Sequence, residues 1–119
     1  MRYDVHEYSI VGSLIDRVQQ EAVLHGSTRV HRLHVKIGEL AGVELDLLKT
    51  AFDTFRERTI CEGAELAIDS VAAVWACPSC DRAIARGAVL RCDTCGRPAR
   101  MIHGDEIILE RIEMEAPDV

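Results

Sequence analysis

The sequence is poor in aromatic residues, in positive charge and in long apolar runs, and each shortage argues against a class of protein. Aromatic side chains make up 4% of the 119 residues, so a surface for stacking nucleic-acid bases is poorly supplied. The net charge of −6 also makes nucleic acid an unfavoured partner, because Lys and Arg supply most of the affinity for phosphates. We find no apolar run of membrane-spanning length and no apolar signal core at the N-terminus. The composition therefore predicts a cytoplasmic globular protein that contacts no membrane.

Cysteine is the residue whose arrangement indicates a specific chemistry. Four of the five cysteines form two Cys-x-x-Cys pairs, Cys77/Cys80 and Cys92/Cys95, and Cys61 stands alone. Zinc prefers four soft ligands at tetrahedral corners, and the two pairs supply four thiolates. Because four protein ligands leave no open position for a substrate, we expect this zinc to be structural. Two alternatives remain open, namely a thiol–disulfide enzyme that uses one of the pairs and an iron–sulfur cluster.

The segment around these cysteines is locally basic on an acidic chain. It contains five arginines, at Arg82, Arg86, Arg91, Arg97 and Arg100. The simplest interpretation is a solvated surface. The sharper alternative is a docking patch for an acidic partner or for nucleic acid, which would make the protein a zinc-ribbon binding module.

The spacing of apolar residues predicts two helices and a first strand. Apolar residues recur at helical spacing from residue 8 to residue 24, and His25-Gly26 follows as a stop. A second helix is predicted from Leu45 to about Arg58. Between the helices, apolar and polar residues alternate over residues 32–37, which predicts a strand with one wet face.

Two further strands are predicted on either side of the cysteines. Residues 66–75 alternate less regularly, with a slip near Ser70-Val71 that a β-bulge or a change of the buried face would explain. Residues Ile107 to Met114 form the last predicted strand. Because residues 107–109 are all apolar, we expect the start of this strand to be covered on both sides.

The order of these elements predicts an α+β fold, in which two helices pack on a small three-stranded sheet and a four-cysteine zinc ribbon is inserted before the last strand. The strand–helix–strand portion predicts parallel strands with a right-handed crossover. We expect residues 1–75 and 101–119 to form the α/β domain and residues 76–100 to form the zinc ribbon. The ribbon is too short to bury a core of its own, so metal binding should supply most of its folding free energy.

Several stretches, in a fixed order along the chain, carry a family resemblance. They are VHEYSIV (5–11), KIGE (36–39), AFDTFR (51–56), EGAEL (62–66), the two cysteine pairs and LERIE (109–113). Together they span nearly the whole chain. In these stretches the sequence resembles the HypA/HybF family of nickel chaperones in hydrogenase maturation.

The resemblance implies that the protein binds Ni(II) near its N-terminus and passes it to a maturing enzyme. In that family the ion is held by the histidine after the initiator methionine, together with the terminal amine and a nearby backbone nitrogen. This implies that His6 is a nickel ligand, and Ni(II) does favour square-planar nitrogen donors. Glu7 resembles an adjacent glutamate that helps to shape the site. Glu44 falls where some relatives have an acidic residue as a further ligand or neighbour.

The start of the chain departs from the family pattern. Four residues, Met1 to Asp4, precede the matching stretch, and Val5 stands where the family has its initiator methionine. With these residues present the terminal amine is not adjacent to His6, so the usual chelate cannot form. We hypothesise that Val5 is the true first residue, read from a GTG start codon as methionine. The intact mass of the protein made from its native gene tests this hypothesis.

The resemblance also implies two protein partners, the large subunit of a nickel–iron hydrogenase and a maturation GTPase of the HypB type. A homodimer is compatible with the sequence. The expected metals are a structural Zn²⁺ and a transferred Ni²⁺. We predict no enzymatic activity, because no nucleophile–base pair, phosphate-binding loop or pair of carboxylates at a catalytic spacing stands out in the sequence.

Overall fold

The computed structural model of the protein describes residues 5–116. Met1 to Asp4, on which the hypothesis about the first residue depends, lie outside the described residues. The elements within this range are α1 (Val5–His25), β1 (Val30–Gly38), α2 (Leu45–Phe55), β2 (Glu65–Val71), β3 (Val74–Ala76), β4 (Ala83–Ile84), β5 (Arg100–His103) and β6 (Ile107–Met114).

The first helix has the amphipathic pattern that the sequence predicts. The apolar residues at helical spacing are buried, namely Val11, Leu14, Ile15, Val18 and Ala22. The helix ends at His25, and Gly26 follows with a φ of 66°, the left-handed conformation in which glycine commonly ends a helix. The predicted stop is therefore confirmed.

The second helix begins where it was predicted and ends three residues earlier. It runs from Leu45 to Phe55, and Arg56 is its C-cap residue. The Thr59 N–H and hydroxyl both donate to the Arg56 carbonyl, at 3.1 and 2.6 Å, and Arg58 has a φ of 63°. This tight turn stops the helix before Arg58. Neither helix within residues 5–116 is long and apolar enough to cross a membrane.

The three-stranded sheet of the predicted fold is present, in the order β2-β1-β6. The central strand β1 is parallel to β2 and antiparallel to β6, so the chain between β1 and β2, which includes α2, is a crossover connection. Leu33, Val35 and Ile37 of β1 are at most 1% exposed and share one core with the apolar faces of both helices. Local alternation therefore predicted the right buried face.

The predicted second strand is in fact two strands that belong to different sheets. Strand β2 ends at Val71, and β3, from Val74 to Ala76, pairs with β4 and β5 in a second sheet of order β4-β3-β5. The predicted β-bulge near Ser70-Val71 was wrong, because β2 pairs with β1 without a register shift from Glu65 to Val71. The alternative, a change of the buried face, stays a prediction. The pairing of β2 with β1 ends at Gly38 and Val71, the last residues of both strands, and just beyond them the Ala73 N–H donates to the Glu39 carboxylate at 2.6 Å.

Strand β6 has the predicted bounds, but its start is not covered on both sides. Ile107 is 38% exposed and Ile108 is 46% exposed. Ile108 pairs with Lys36, whose side chain does not belong to the core. The run of three apolar residues was therefore a misleading signal of burial at a sheet edge.

The second sheet carries the cysteine segment. Its strands begin at Val74 and end at His103, two to three residues outside the boundaries at 76 and 100 that the sequence suggested. The division of the chain into two domains stays a prediction.

The two sheets meet at the end of β1, where three backbone hydrogen bonds tie β1 to both connecting segments. Gly38 N–H donates to Glu106 O at 2.8 Å, Glu39 N–H to Val71 O at 2.8 Å, and Leu40 N–H to Gly104 O at 2.7 Å. A Cβ on Gly38 would lie 2.1 Å from the Gly104 carbonyl carbon. The contact therefore requires glycine at position 38. We call this contact region, residues 38–40, 71–73 and 104–106, the junction.

Candidate metal centres

The four paired cysteines come together as the sequence predicts. Their Sγ atoms all lie within 4.8 Å of one another, and within the described part of the chain no other group of three or more His, Cys, Asp or Glu side chains is so arranged. Cys77 and Cys92 are buried, Cys80 is half-buried and Cys95 is exposed. Cys61 is 0% exposed in the main core, so it does not contribute to this cluster.

Each cysteine pair lies on a tight turn, which we call a knuckle. In the first knuckle, residues 77–82, the Asp81 N–H donates to the Cys77 carbonyl at 3.0 Å. In the second knuckle, residues 92–97, the Gly96 N–H donates to the Cys92 carbonyl at 2.9 Å. Asp81 and Gly96 both have a positive φ, of 57° and 71°. Gly96 thus lets the second knuckle turn tightly, and Asp81 plays the same part in the first knuckle.

Backbone N–H groups aim at the sulfur of the first cysteine in each pair. The N–H groups of Cys95 and Thr94 lower the pKa of Cys92 to about 6, and the Cys80 N–H lowers the pKa of Cys77. Hydrogen bonds with the thiols of Cys95 and Cys77 raise the pKa of Cys80 to about 12. The four sulfurs are therefore too close to ionise together without a cation, and a divalent ion would remove this conflict.

The donor set fits zinc. Four thiol sulfurs at one point are the ligands of closed zinc sites, and N–H donors to sulfur support them. The arrangement gives little support to a thiol–disulfide enzyme, because the close sulfur contact of 3.5 Å joins Cys77 to Cys95, one residue from each pair. A redox motif would use the two cysteines of one pair. Cys77, Cys80, Cys92 and Cys95 would thus be the zinc ligands.

The proposed nickel residues lie near the helix starts. His6 is exposed in the first turn of α1, and Glu7 beside it is only 2% exposed. The Tyr8 and Phe55 rings contact each other edge to face, with centroids 5.1 Å apart, so the start of α1 lies against the end of α2. Glu44 precedes the other end of that helix, and its side chain makes no capping hydrogen bond. An α-helix of 11 residues is about 16 Å long.

The structure therefore brings His6 and Glu7 next to each other but does not bring Glu44 to them. Within the described residues these three side chains do not form a cluster of possible metal ligands. Their assignment as nickel ligands stays a prediction. The burial of Glu7 was not foreseen, because a charged residue in the first turn of a helix is usually solvated.

The arginines of the ribbon are largely engaged within the protein. Arg86 donates to both carboxylate oxygens of Glu39, at 2.5 and 2.8 Å, and so joins the ribbon to the junction. Arg91 donates to the Gly96 carbonyl at 2.7 Å. Arg82 and Arg97 also donate to side chains of the ribbon. These hydrogen bonds within the protein argue against the external docking patch that the sequence suggested.

The Glu39–Arg86 pair is a feature that the sequence analysis missed. The hydrogen bond from Arg86, followed by the one from Ala73 N–H, lowers the pKa of Glu39 from 4.5 to about 2. The two partners are 47 positions apart, so no local pattern links them. The available signal was Glu39 itself, which follows Gly38 in a stretch shared with a known family.

Comparisons with known proteins agree with this geometry. Residues 5–114 match the HypA family, described as "Hydrogenase/urease nickel incorporation, metallochaperone, hypA". The hydrogenase maturation factor HypA of Shewanella baltica (strain OS185) is 36% identical over 113 residues, which cover 93% of this chain and 97% of that protein. The same factor from Campylobacter jejuni is 36% identical over 114 residues, covering 93% of this chain and 100% of that protein.

Two solved structures have the same fold. The solution structure of a HypA protein has a TM-score of 0.79 and 30% identity, and it covers 96% of this chain and 99% of that one. The solution structure of the Ni metallochaperone HypA from Helicobacter pylori has a TM-score of 0.71 and 31% identity, and it covers 92% of this chain and 97% of that one. Because these matches extend over nearly the full length of both partners, the chain belongs to the HypA family of hydrogenase-maturation metallochaperones.

Proposed function

We propose that this protein binds Ni(II) at the start of α1 and delivers it to a maturing nickel–iron hydrogenase, while a structural zinc ion holds its ribbon together. The observation that carries this proposal is the family match over residues 5–114, which includes the start of α1 and both knuckles. A Helicobacter pylori relative of the same fold is named a Ni metallochaperone.

The start of α1 is chemically suited to nickel. The first four N–H groups of a helix have no partner within the helix, so the amide nitrogen of His6 is available next to its exposed imidazole. Ni(II) favours such nitrogen donors in a square-planar arrangement. An exposed site with few protein ligands also suits an ion that must be passed on. Buried Glu7 would hold this turn in place, and Glu44 would reach the ion only if the start of α1 moved along α2.

The zinc ion would have a different role. Four thiolates close the coordination sphere and leave no position for a reacting group, so we propose that the protein has no catalytic activity. Bound zinc would supply the folding free energy that the ribbon cannot obtain from a core. Four cysteines used as metal ligands also favour the reducing cytoplasm as the place of action.

For partners we propose the large subunit of a nickel–iron hydrogenase and a HypB-type GTPase. The support is the maturation role in the family description and in the names of the relatives. The alternative, a nucleic-acid-binding zinc ribbon, is disfavoured because Arg82, Arg86, Arg91 and Arg97 already donate hydrogen bonds within the protein.

The nickel site is tested with His6→Ala, and His25→Ala at the other end of α1 is the matched control. We expect His6→Ala to lose specific Ni(II) binding in calorimetric titrations and to keep one zinc per chain by elemental analysis. His25→Ala should behave like the wild type. Unchanged nickel affinity in His6→Ala would refute the assigned site.

The contribution of the terminal amine is tested with two forms of the protein, one that starts at Met1 and one in which a methionine replaces Val5 as the first residue. If the amine is a ligand, the shorter form should bind Ni(II) more tightly. Equal affinities would exclude the amine from the site and leave the role of His6 to be judged by the substitution alone.

A further inference from the structure

The two knuckles repeat one six-residue pattern. Residues 77–82 read CPSCDR and residues 92–97 read CDTCGR, so both follow Cys-x-Ser/Thr-Cys-x-Arg. The backbone repeats as well. In each knuckle the N–H of the first cysteine donates to the carbonyl of the arginine, from Cys77 N–H to Arg82 O at 3.0 Å and from Cys92 N–H to Arg97 O at 2.9 Å. The fifth residue of each knuckle has a positive φ. The two knuckles are therefore equivalent halves of one site.

The arginine of each half donates a hydrogen bond to the hydroxyl of the other half. Arg82 Nη1 donates to Thr94 Oγ1 at 2.7 Å, and Arg97 Nη1 donates to Ser79 Oγ at 2.7 Å. In both cases the sixth residue of one knuckle bonds the third residue of the other. A solvated surface would not produce two bonds at equivalent positions, because each depends on the orientation of both knuckles.

We call these two arginine–hydroxyl hydrogen bonds the crossed bonds. They lie in a part of the ribbon that has few other stabilising interactions. The knuckles are turns outside the short strands, and most of the residues between them are exposed. Sulfur–metal bonds would fix the distance of each sulfur from the ion, whereas the crossed bonds fix how the two turns face each other. A zinc ion with four thiolates also carries two net negative charges, and a guanidinium beside each knuckle offsets them.

We propose that Arg82 and Arg97 are positioning residues of the zinc site, which hold the two knuckles in register through Thr94 and Ser79 and thereby slow the release of the ion. This inference rests on zinc as the resident ion of the proposed function. It gives these two arginines a role inside the ribbon in place of the contact with an external partner that their charge suggests.

A double-mutant cycle on the full-length, zinc-loaded protein tests this role. Zinc release into an excess of a chromogenic chelator is measured for Arg82→Ala, Thr94→Val and the double variant. Each single substitution should speed release by about threefold to tenfold, as expected for the loss of one hydrogen bond to a charged group near the surface. The double variant should release zinc no faster than the faster single variant, because both changes remove the same bond.

Matched controls separate the bond from its charge and from general damage. Arg100→Ala removes an equal charge from the second sheet outside both knuckles and should leave the release rate unchanged. Thr94→Ser keeps the hydroxyl and should also release zinc at the wild-type rate. Arg82→Ala combined with Ser79→Ala breaks both crossed bonds, so its effect should be about the product of the two single effects.

Three results would overturn the positioning role. They are equal acceleration by Arg82→Ala and Arg100→Ala, multiplied effects in the Arg82/Thr94 double variant, and acceleration by Thr94→Ser as large as that by Thr94→Val. The zinc content of the wild-type protein is measured first. A wild-type protein without zinc would overturn the proposed zinc site itself, whereas one zinc per chain with equal release rates would overturn this inference alone.

Discussion

Gly38→Ala is expected to destabilise the protein strongly, because the added methyl group would meet backbone atoms. A Cβ at this position would lie 2.1 and 2.2 Å from the carbonyl carbon and oxygen of Gly104, and 2.5 Å from the Asp105 nitrogen. Ordinary contacts begin at 3.4 Å, so the two segments must separate by about 1 Å. That movement would stretch the hydrogen bonds from Gly38 N–H to Glu106 and from Leu40 N–H to Gly104.

The size of the effect follows from these two costs. Overpacking by one methyl group in a tightly packed site costs about 1–3 kcal/mol. Weakening two backbone hydrogen bonds adds up to about 1 kcal/mol each. We therefore expect the free energy of unfolding to fall by about 1–5 kcal/mol. For a chain of 119 residues, 1 kcal/mol corresponds to roughly 4 °C, so Tm should fall by roughly 4–20 °C.

Gly12→Ala is the matched control, since it adds the same methyl group to an open position. Gly12 lies inside α1, and a Cβ there would have nothing within 4 Å. Alanine is a better helix former than glycine, so this variant should gain up to about 1 kcal/mol. Both variants are followed by circular dichroism during heating with excess zinc. A Gly38→Ala protein whose Tm lies within 3 °C of the wild type would refute the argument from close packing.

Three further changes have defined outcomes. Phe52→Ala removes a ring that is 1% exposed in the main core and should cost about 3–5 kcal/mol in urea unfolding, where a loss below 1 kcal/mol would contradict its burial. Cys92→Ser should lower the zinc retained after dialysis while the main core stays folded, because the tetrahedral site loses one of its four thiolate ligands. Glu39→Gln should destabilise the protein at neutral pH. Since folding lowers the pKa of Glu39 from 4.5 to about 2, its ionic contribution is complete above pH 4.5 and is lost as the pH falls towards 2. The difference in stability between wild type and Glu39→Gln should therefore be constant from pH 8 to pH 5, and a difference that shrinks in that range would contradict the assignment.

Elements with a strong local pattern were predictable from the sequence. Strand β1 alternates over residues 32–37, and its inward residues Leu33, Val35 and Ile37 are buried in the structure. The stop after α1 was predictable because Gly26 tolerates a positive φ. The clustering of the four cysteines was predictable because the spacing of ligand pairs is itself a requirement of the metal site.

Features that depend on distant residues were not predictable in this way. The chain passes from β2 to β3 through Ala72 and Ala73, which are not typical turn residues. At this change of sheet the Ala73 N–H donates to Glu39, which lies in the loop after β1, more than thirty positions earlier in the sequence. The exposure of Ile108 similarly depends on what packs on the sheet, and hydrophobicity alone does not report that.

The same difference between local patterns and contacts of distant residues applies to the candidate sites. Sequence spacing named the four candidate zinc ligands, but it gave no sign that Arg82 and Arg97 bond across the two knuckles, although the repeated six-residue pattern was present. The nickel residues were named through the family resemblance, and the structure adds that His6 is exposed whereas Glu7 is buried. Local patterns thus identify ligands better than they identify the side chains that hold ligands in place.

The stretch Lys36-Ile37-Gly38-Glu39 illustrates how a family resemblance can have a structural cause. In sequence it reads as the end of a strand. In the structure Ile37 belongs to the core, Gly38 allows the close approach of Gly104, and Glu39 holds both Ala73 and Arg86. Three successive residues therefore connect the main core to the ribbon through three different interactions. Because a change at Gly38 or Glu39 would alter how the two sheets meet, we conclude that this stretch joins the main core to the cysteine ribbon and has a structural reason to be shared with the family.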